Sequence, residues 1–134
     1  MLAVRYNLTE GQFEPPAEPA IVDGLSARLG VDLPRDYTDF LKEHNGGEGF
    51  VGENYIIFFK AEELGDFNWE YEVEKYAPGI LLFASSGGGE GYGFDTEDPA
   101  MPIVRVPFIG MDRQSAETIA RDLPDLFSWL EESI

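Results

Sequence analysis

The 134-residue sequence has no cysteine, which removes disulfides, thiol nucleophiles and Cys-ligated zinc together. It has one histidine, so a Ser-His-Asp triad or a histidine-rich metal site would have to form around His44, and no Gly-x-Ser-x-Gly elbow accompanies it. No apolar run approaches the ~18 residues of a membrane span, and no apolar stretch follows Arg5 to act as a secretory signal, so the chain is expected in the cytoplasm and away from membranes. Cationic residues are also scarce. Nine Lys plus Arg face 26 Asp plus Glu, a net charge of −17, which opposes binding to nucleic acid and makes a cationic protein the natural complement.

What is present suffices for a packed core: 43% of residues are apolar, with 10 Phe, 6 Tyr and 2 Trp. Leu2, Val4, Tyr6 and Leu8 alternate with polar neighbours and predict a first strand, followed by a Pro-rich linker over 11–19. Ile21, Leu25 and Leu29 make a helical stripe closed by Gly30, with Gly24 inside it as a weak point. Pro34 suits the first turn of a second helix carrying Tyr37, Phe40, Leu41 and His44, ended by Asn45, Gly46 and Gly47. At the end of that helix His44 is expected to pack its ring. Phe50-Val51 and 55–59 predict a hairpin turning at 52–54, and 61–76 predicts one or two helical pieces stopped by Pro78-Gly79. A continuous apolar run, 80–83, suits a central strand, and Tyr92, Phe94, Val104, Val106 and Phe108 suit its neighbours. Ser115 is expected to cap a short helix with Ala116, Ile119, Ala120 and Leu123, and Pro124 to open a last helix with Phe127 and Leu130 inward. The sum is an α+β fold built on an antiparallel sheet with helices packed around it.

Three local patterns invite chemistry. The glycine turn 85–93 resembles a phosphate cradle, but it lacks the Gly-Lys-Ser/Thr start of a helix and has no basic residue between Lys75 and Arg105, so a bulged hairpin turn is expected, with no nucleotide or other cofactor. Asp95, Glu97 and Asp98 could hold a cation or support a metal-assisted hydrolase, yet counting from Asp95 the sixth and twelfth places hold Ala100 and Val106, which breaks the EF-hand pattern. With so many carboxylates, no single pair marks a general acid and base, and no catalytic residue is assigned.

The third pattern is charge. Glu62, Glu63, Asp66, Glu70, Glu72, Glu74, Glu90, Asp95, Glu97 and Asp98 are opposed only by Lys75 between positions 62 and 98, so about half of the net charge falls in a little over a quarter of the chain. Such a face can steer a basic partner, and Trp69, Tyr71 or Tyr92 within it could anchor the complex. A merely solubilising surface explains the same composition.

Several stretches together resemble the SUKH superfamily (Smi/Knr-like domains), whose members include bacterial immunity proteins against polymorphic toxins and a fungal regulator of cell-wall synthesis. They are Arg28-Leu29-Gly30, Leu33-Pro34, Asp36-Tyr37, Phe40-Leu41, Asn45-Gly46-Gly47, the hairpin ending at 55–59, Glu63-Leu64, Asn68, and Leu82-Phe83. The glycine turn with Gly88 and Gly89, then Tyr92 and Phe94-Asp95, and finally Phe127-x-x-Leu130 complete the pattern, which runs from about 16 to 132. The resemblance implies one SUKH-like domain over 1–134, with 1–19 as lead-in strand and linker and 20–134 as core. It further implies a non-enzymatic protein-binding module, either an immunity protein that neutralises a basic toxin domain such as a nuclease, or a cytoplasmic adaptor for a host protein. Its motif residues (Leu33, Pro34, Tyr37, Phe40, Leu41, Asn45, Gly46, Gly47, Gly88, Gly89, Phe94, Asp95) are expected to set turns and packing.

Overall fold

A computed structural model describes residues 6–133. Seven strands form one antiparallel sheet in which spatial order follows chain order: β1 (Thr9–Phe13), β2 (Gly47–Val51), β3 (Asn54–Phe58), β4 (Ile80–Ser85), β5 (Glu90–Asp95), β6 (Ile103–Pro107) and β7 (Glu117–Ala120). Helices α1 (Pro19–Asp23), α2 (Leu25–Leu29) and α3 (Arg35–Glu43) separate β1 from β2, α4 (Leu64–Glu70) and α5 (Val73–Tyr76) separate β3 from β4, and α6 (Leu123–Glu132) ends the chain. This is the expected α+β architecture.

The apolar run of β4 is buried along its whole length, as a central strand requires. Phe58, Phe83 and Phe94 meet α3, which lays Tyr37 5.3 Å from the Phe83 ring and 5.2 Å from Phe94, and Phe40 5.0 Å from Phe58. Helix α6 adds Phe127, stacked on Phe58 at 5.7 Å, and the fully buried Leu126 and Leu130. The two helices are tied together: Asp36 on α3 accepts a 2.9 Å hydrogen bond from the Leu123 N–H, while Asp122 caps the same terminus by accepting from Asp125 N–H at 2.9 Å. Pro34 lies just before α3 rather than in its first turn. The His44 ring stacks on Phe13 at 4.3 Å, as a packing role predicts.

The Asn45-Gly46-Gly47 motif follows the His44 cap of α3 and leads into β2. At Gly46 the backbone is left-handed (φ 84°), and a Cβ would sit 2.6 Å from the Phe58 carbonyl oxygen. Asn45 accepts from Ala61 N–H and donates to a Glu62 carboxylate oxygen, each at 2.8 Å, so one side chain joins the end of α3 to the chain leaving β3.

Three further expectations fail. Of the first predicted strand, Leu2 and Val4 lie outside the described residues, while Tyr6 and Leu8 pack against the core without joining the sheet. The strand instead takes the Thr9–Phe13 segment, whose second half lies in the predicted linker. Close backbone approach selects it: a Cβ on Gly11 would lie 2.0 Å from the Glu48 carbonyl oxygen. The first helix is broken at Gly24 into α1 and α2. The third failure is the Ser115 helix. Ser115 ends a 3₁₀ turn capped by Asp112, and the residues after it form β7, paired with β6 through Ile103↔Ala120, Val104↔Thr118 and Arg105↔Glu117. β-Branched Thr118 and Ile119 and the free edge of β6 outweigh the helical spacing of Ala116, Ile119, Ala120 and Leu123.

Candidate functional site

The sheet is incompletely paired at one place. β3 matches β4 at Ile57↔Ser85 and Phe58↔Ala84, and the chain leaving it adds one more bond, from Phe59 N–H to Phe83 C=O at 3.0 Å, so residues 80–82 of β4 have no strand on that side. Asn68 of α4 replaces it. Its amide accepts from Leu82 N–H at 2.8 Å, donates to Leu82 C=O at 2.9 Å and donates to Leu64 C=O at 2.8 Å. One side chain thus copies the pairing of a strand residue beside the β4 bulge between Leu82 and Ala84, and fixes α4 along the edge.

Beside this junction lies a groove of ≈ 670 Å³. Leu29 and Val31, from the end of α2 and the segment after it, and Ile80 and Leu81 of β4 supply its apolar lining. Trp69, Glu70, Glu72 and Glu74 line it from α4, α5 and the turn between them, with Lys75 as its sole cationic lining residue. Trp69 is 83% exposed. Glu72 holds a left-handed backbone (φ 52°), which costs a residue with a Cβ ~1–2 kcal/mol and is what turns α4 into α5 at the groove rim. The ion pairs among the described residues do not include Glu70, Glu72 or Glu74.

The remaining carboxylates of the acidic segment are dispersed. Glu62 is held by Asn45, whose amide donation keeps its carboxyl below the usual carboxylate range. Glu63 accepts from Lys60 N–H at 3.1 Å, and Asp66 is exposed on α4. Glu90 pairs with Arg105, 3.2 Å away, and that guanidinium also meets Glu117 and lies 5.3 Å from the Trp129 ring. Asp98 accepts from Ala100 N–H within its own turn.

Two candidate roles are overturned. Tyr92 is 3% exposed, with its ring edge against Trp129, so it cannot anchor a partner at the surface. The Asp95, Glu97 and Asp98 triplet is not gathered as a cation cage: Arg113 takes two of its members, with Nη2 2.7 and 2.9 Å from the two Asp95 oxygens and Nε 3.0 Å from Glu97, while Asp98 faces its own turn. Among the described residues, no cluster of three or more His, Asp or Glu is placed to hold a metal. Tyr71 is half-buried and stacks on Phe108 at 4.3 Å, which leaves Trp69 as the accessible aromatic among the three considered. The glycine turn offers no open cradle either, because the Ser86 hydroxyl accepts from Gly88 and Glu90 N–H and Ser85 accepts from Gly87 N–H.

The sequence does not reveal the groove floor: Leu29, Ile80 and Leu81 carry the same apolar signal as core residues, and no local period marks them as bordering an opening. Within the family-like motifs, Leu33, Tyr37, Phe40, Leu41 and Phe94 are buried and Asn45 is hydrogen-bonded, so these positions shape the fold around the groove.

Comparison with known proteins agrees with this architecture. The uncharacterized protein YnaB of Bacillus subtilis (strain 168) is 35% identical over 83 residues, covering 62% of this chain and 49% of that protein, so the chain spans about half the length of this curated relative. The sequence model of the SMI1 / KNR4 family (SUKH-1) matches residues 16–131, from the segment before α1 to the last turn of α6. With a match of that extent, the chain belongs to the SMI1 / KNR4 family (SUKH-1).

Proposed function

We propose that the chain is a protein-binding module of the immunity type, which binds and neutralises a cationic toxin domain without chemistry of its own. The observation that carries this reading is the set of unpaired carboxylates, Glu70, Glu72 and Glu74, gathered with exposed Trp69 around one apolar groove. Family membership supports it, because SUKH proteins include immunity proteins, and so does a net charge of −17. A toxin that acts on nucleic acid must attract phosphates with Lys and Arg, and a folded acidic surface competes for the same groups. The folded protein then occupies the toxin's site as a rigid anion.

Tagged protein is used to capture partners from native lysate, washed at low and then high salt, with the retained proteins identified by mass spectrometry. A basic protein held at low salt and weakened at high salt is the expected result. Retention only of salt-insensitive proteins would replace the immunity reading with that of an adaptor. With the partner in hand, reversing Glu70, Glu72 and Glu74 to Lys should slow association by about 10-fold or more and flatten its salt dependence, measured by stopped-flow. Unchanged association kinetics would remove the electrostatic basis of the proposal.

A further inference from the structure

We infer that the groove between α4–α5 and the α2–α3 connection is the docking site, and that its occupant is an extended segment of a partner protein presenting lysine or arginine beside leucine-like side chains. The inference rests on the protein-binding reading above and names the surface and the chemistry it selects. Three properties define the occupant. The volume, ≈ 670 Å³, lies within the ~300–1,000 Å³ of sites that enclose a small ligand, so an exposed segment of a partner domain fits it. The floor of Leu29, Val31, Ile80 and Leu81 accepts apolar side chains and rewards their desolvation.

The rim selects charge. Glu70, Glu72 and Glu74 bring three carboxylates against Lys75 alone, and the exposed Trp69 ring offers a face on which a guanidinium or ammonium can rest. Lys75 itself lies 5.1 Å from the Tyr76 ring centroid. An anionic or purely apolar segment would be opposed by the rim or would gain nothing from it, whereas a segment alternating cationic and apolar residues satisfies both surfaces. Asn68 adds a restriction on the mode of binding. It already occupies the N–H and C=O of Leu82, so the occupant cannot extend the sheet by pairing there and is held by its side chains.

The probe is a capped lysine-leucine-arginine-leucine-lysine pentapeptide, titrated into the ¹⁵N-labelled protein while amide shifts are followed. Two control peptides replace either the leucines with serine or the cationic residues with glutamate. Saturable shifts at Gly65, Trp69, Leu81 and Thr96 with the first peptide alone are expected, and Trp69→Ala should weaken that binding about 10-fold while leaving the fold intact, since the side chain is largely exposed. Equal binding of the serine peptide, shifts scattered over the loops around Glu62, Glu90 and Asp98, or no saturable shift at the groove up to about 1 mM peptide would each overturn the inference. Failure of the underlying reading is seen separately. A captured cationic protein that Trp69→Ala holds as tightly as the native chain would overturn the groove and leave the immunity reading standing; capture of no cationic protein would remove that reading, with the titration still deciding the groove.

Discussion

Tyr37 shows what one side chain can cost inside this core. Its ring fills the space between Phe83 and Phe94, yet its hydroxyl finds no hydrogen-bond partner among the described residues. Burial pushes the phenol well above its ordinary range, since a tyrosinate there would be uncompensated. A buried hydroxyl without a partner costs ~1–3 kcal/mol in desolvation, whereas the ring supplies the packing. Tyr37→Phe should therefore leave stability unchanged or raise it by about 1 kcal/mol in urea unfolding, and a loss larger than about 1 kcal/mol would show that the hydroxyl is bonded after all. Tyr6 gives a milder version: half-buried against Phe40 and Phe127, its phenol is pushed up to about 12 by burial and then by Asp36.

Among the elements, the junction of α4 with β4 depends on one amide. Asn68 is the residue that both donates to and accepts from Leu82, so Asn68→Asp keeps the shape and the acceptor while replacing two donations by repulsion between a carboxylate and the Leu64 and Leu82 carbonyls. A loss of about 1–3 kcal/mol is expected in denaturant unfolding, with faster amide exchange at Leu82; a stability equal to the native chain would mean the bulge is held by packing alone. The elements differ in how far the sequence revealed them. α3 and β4 were legible because Tyr37, Phe40 and Leu41 repeat at helical spacing and the 80–83 run is uniformly apolar, signals that tertiary context reinforces. β1 and β7 were not, because edge strands are chosen by which backbone lies within reach. Gly11 against Glu48, and Thr118 against Val104, are contacts between residues tens or about a dozen positions apart, and no local period records them.

The whole molecule carries two opposing responses to acid. At net −17, general repulsion among carboxylates relaxes as they are protonated, which favours the compact state. Glu62 works the other way. Its carboxyl is held below 4.5 by the Asn45 amide, so the stability it supplies is complete above its unfolded value and is lost as pH falls through the lower folded one. Glu62→Gln keeps an acceptor for Asn45 and removes the titration. Thermal unfolding of both proteins from pH 7 to about pH 3 should show the native chain losing stability relative to the variant below about pH 4.5; a constant difference would mean that the Asn45 contact does not distinguish the charged form.

From the residues alone came the α+β class, the helices around Tyr37 and Phe127, the central strand, the absence of thiol chemistry and the acidic segment, because composition and short-range period act through local sterics and solvation. The resemblance to the SUKH superfamily was legible too, since its motifs are ordered along the chain. Tertiary structure alone decided which carboxylates stay free and which are consumed by Asn45, Arg105 and Arg113, why Tyr92 is hidden and Trp69 is not, and where the groove opens. Those outcomes depend on pairing across long sequence separations, above all on the β3 chain leaving β4 at Phe83, and such pairing is settled by the balance of backbone hydrogen bonds and packing over the whole sheet.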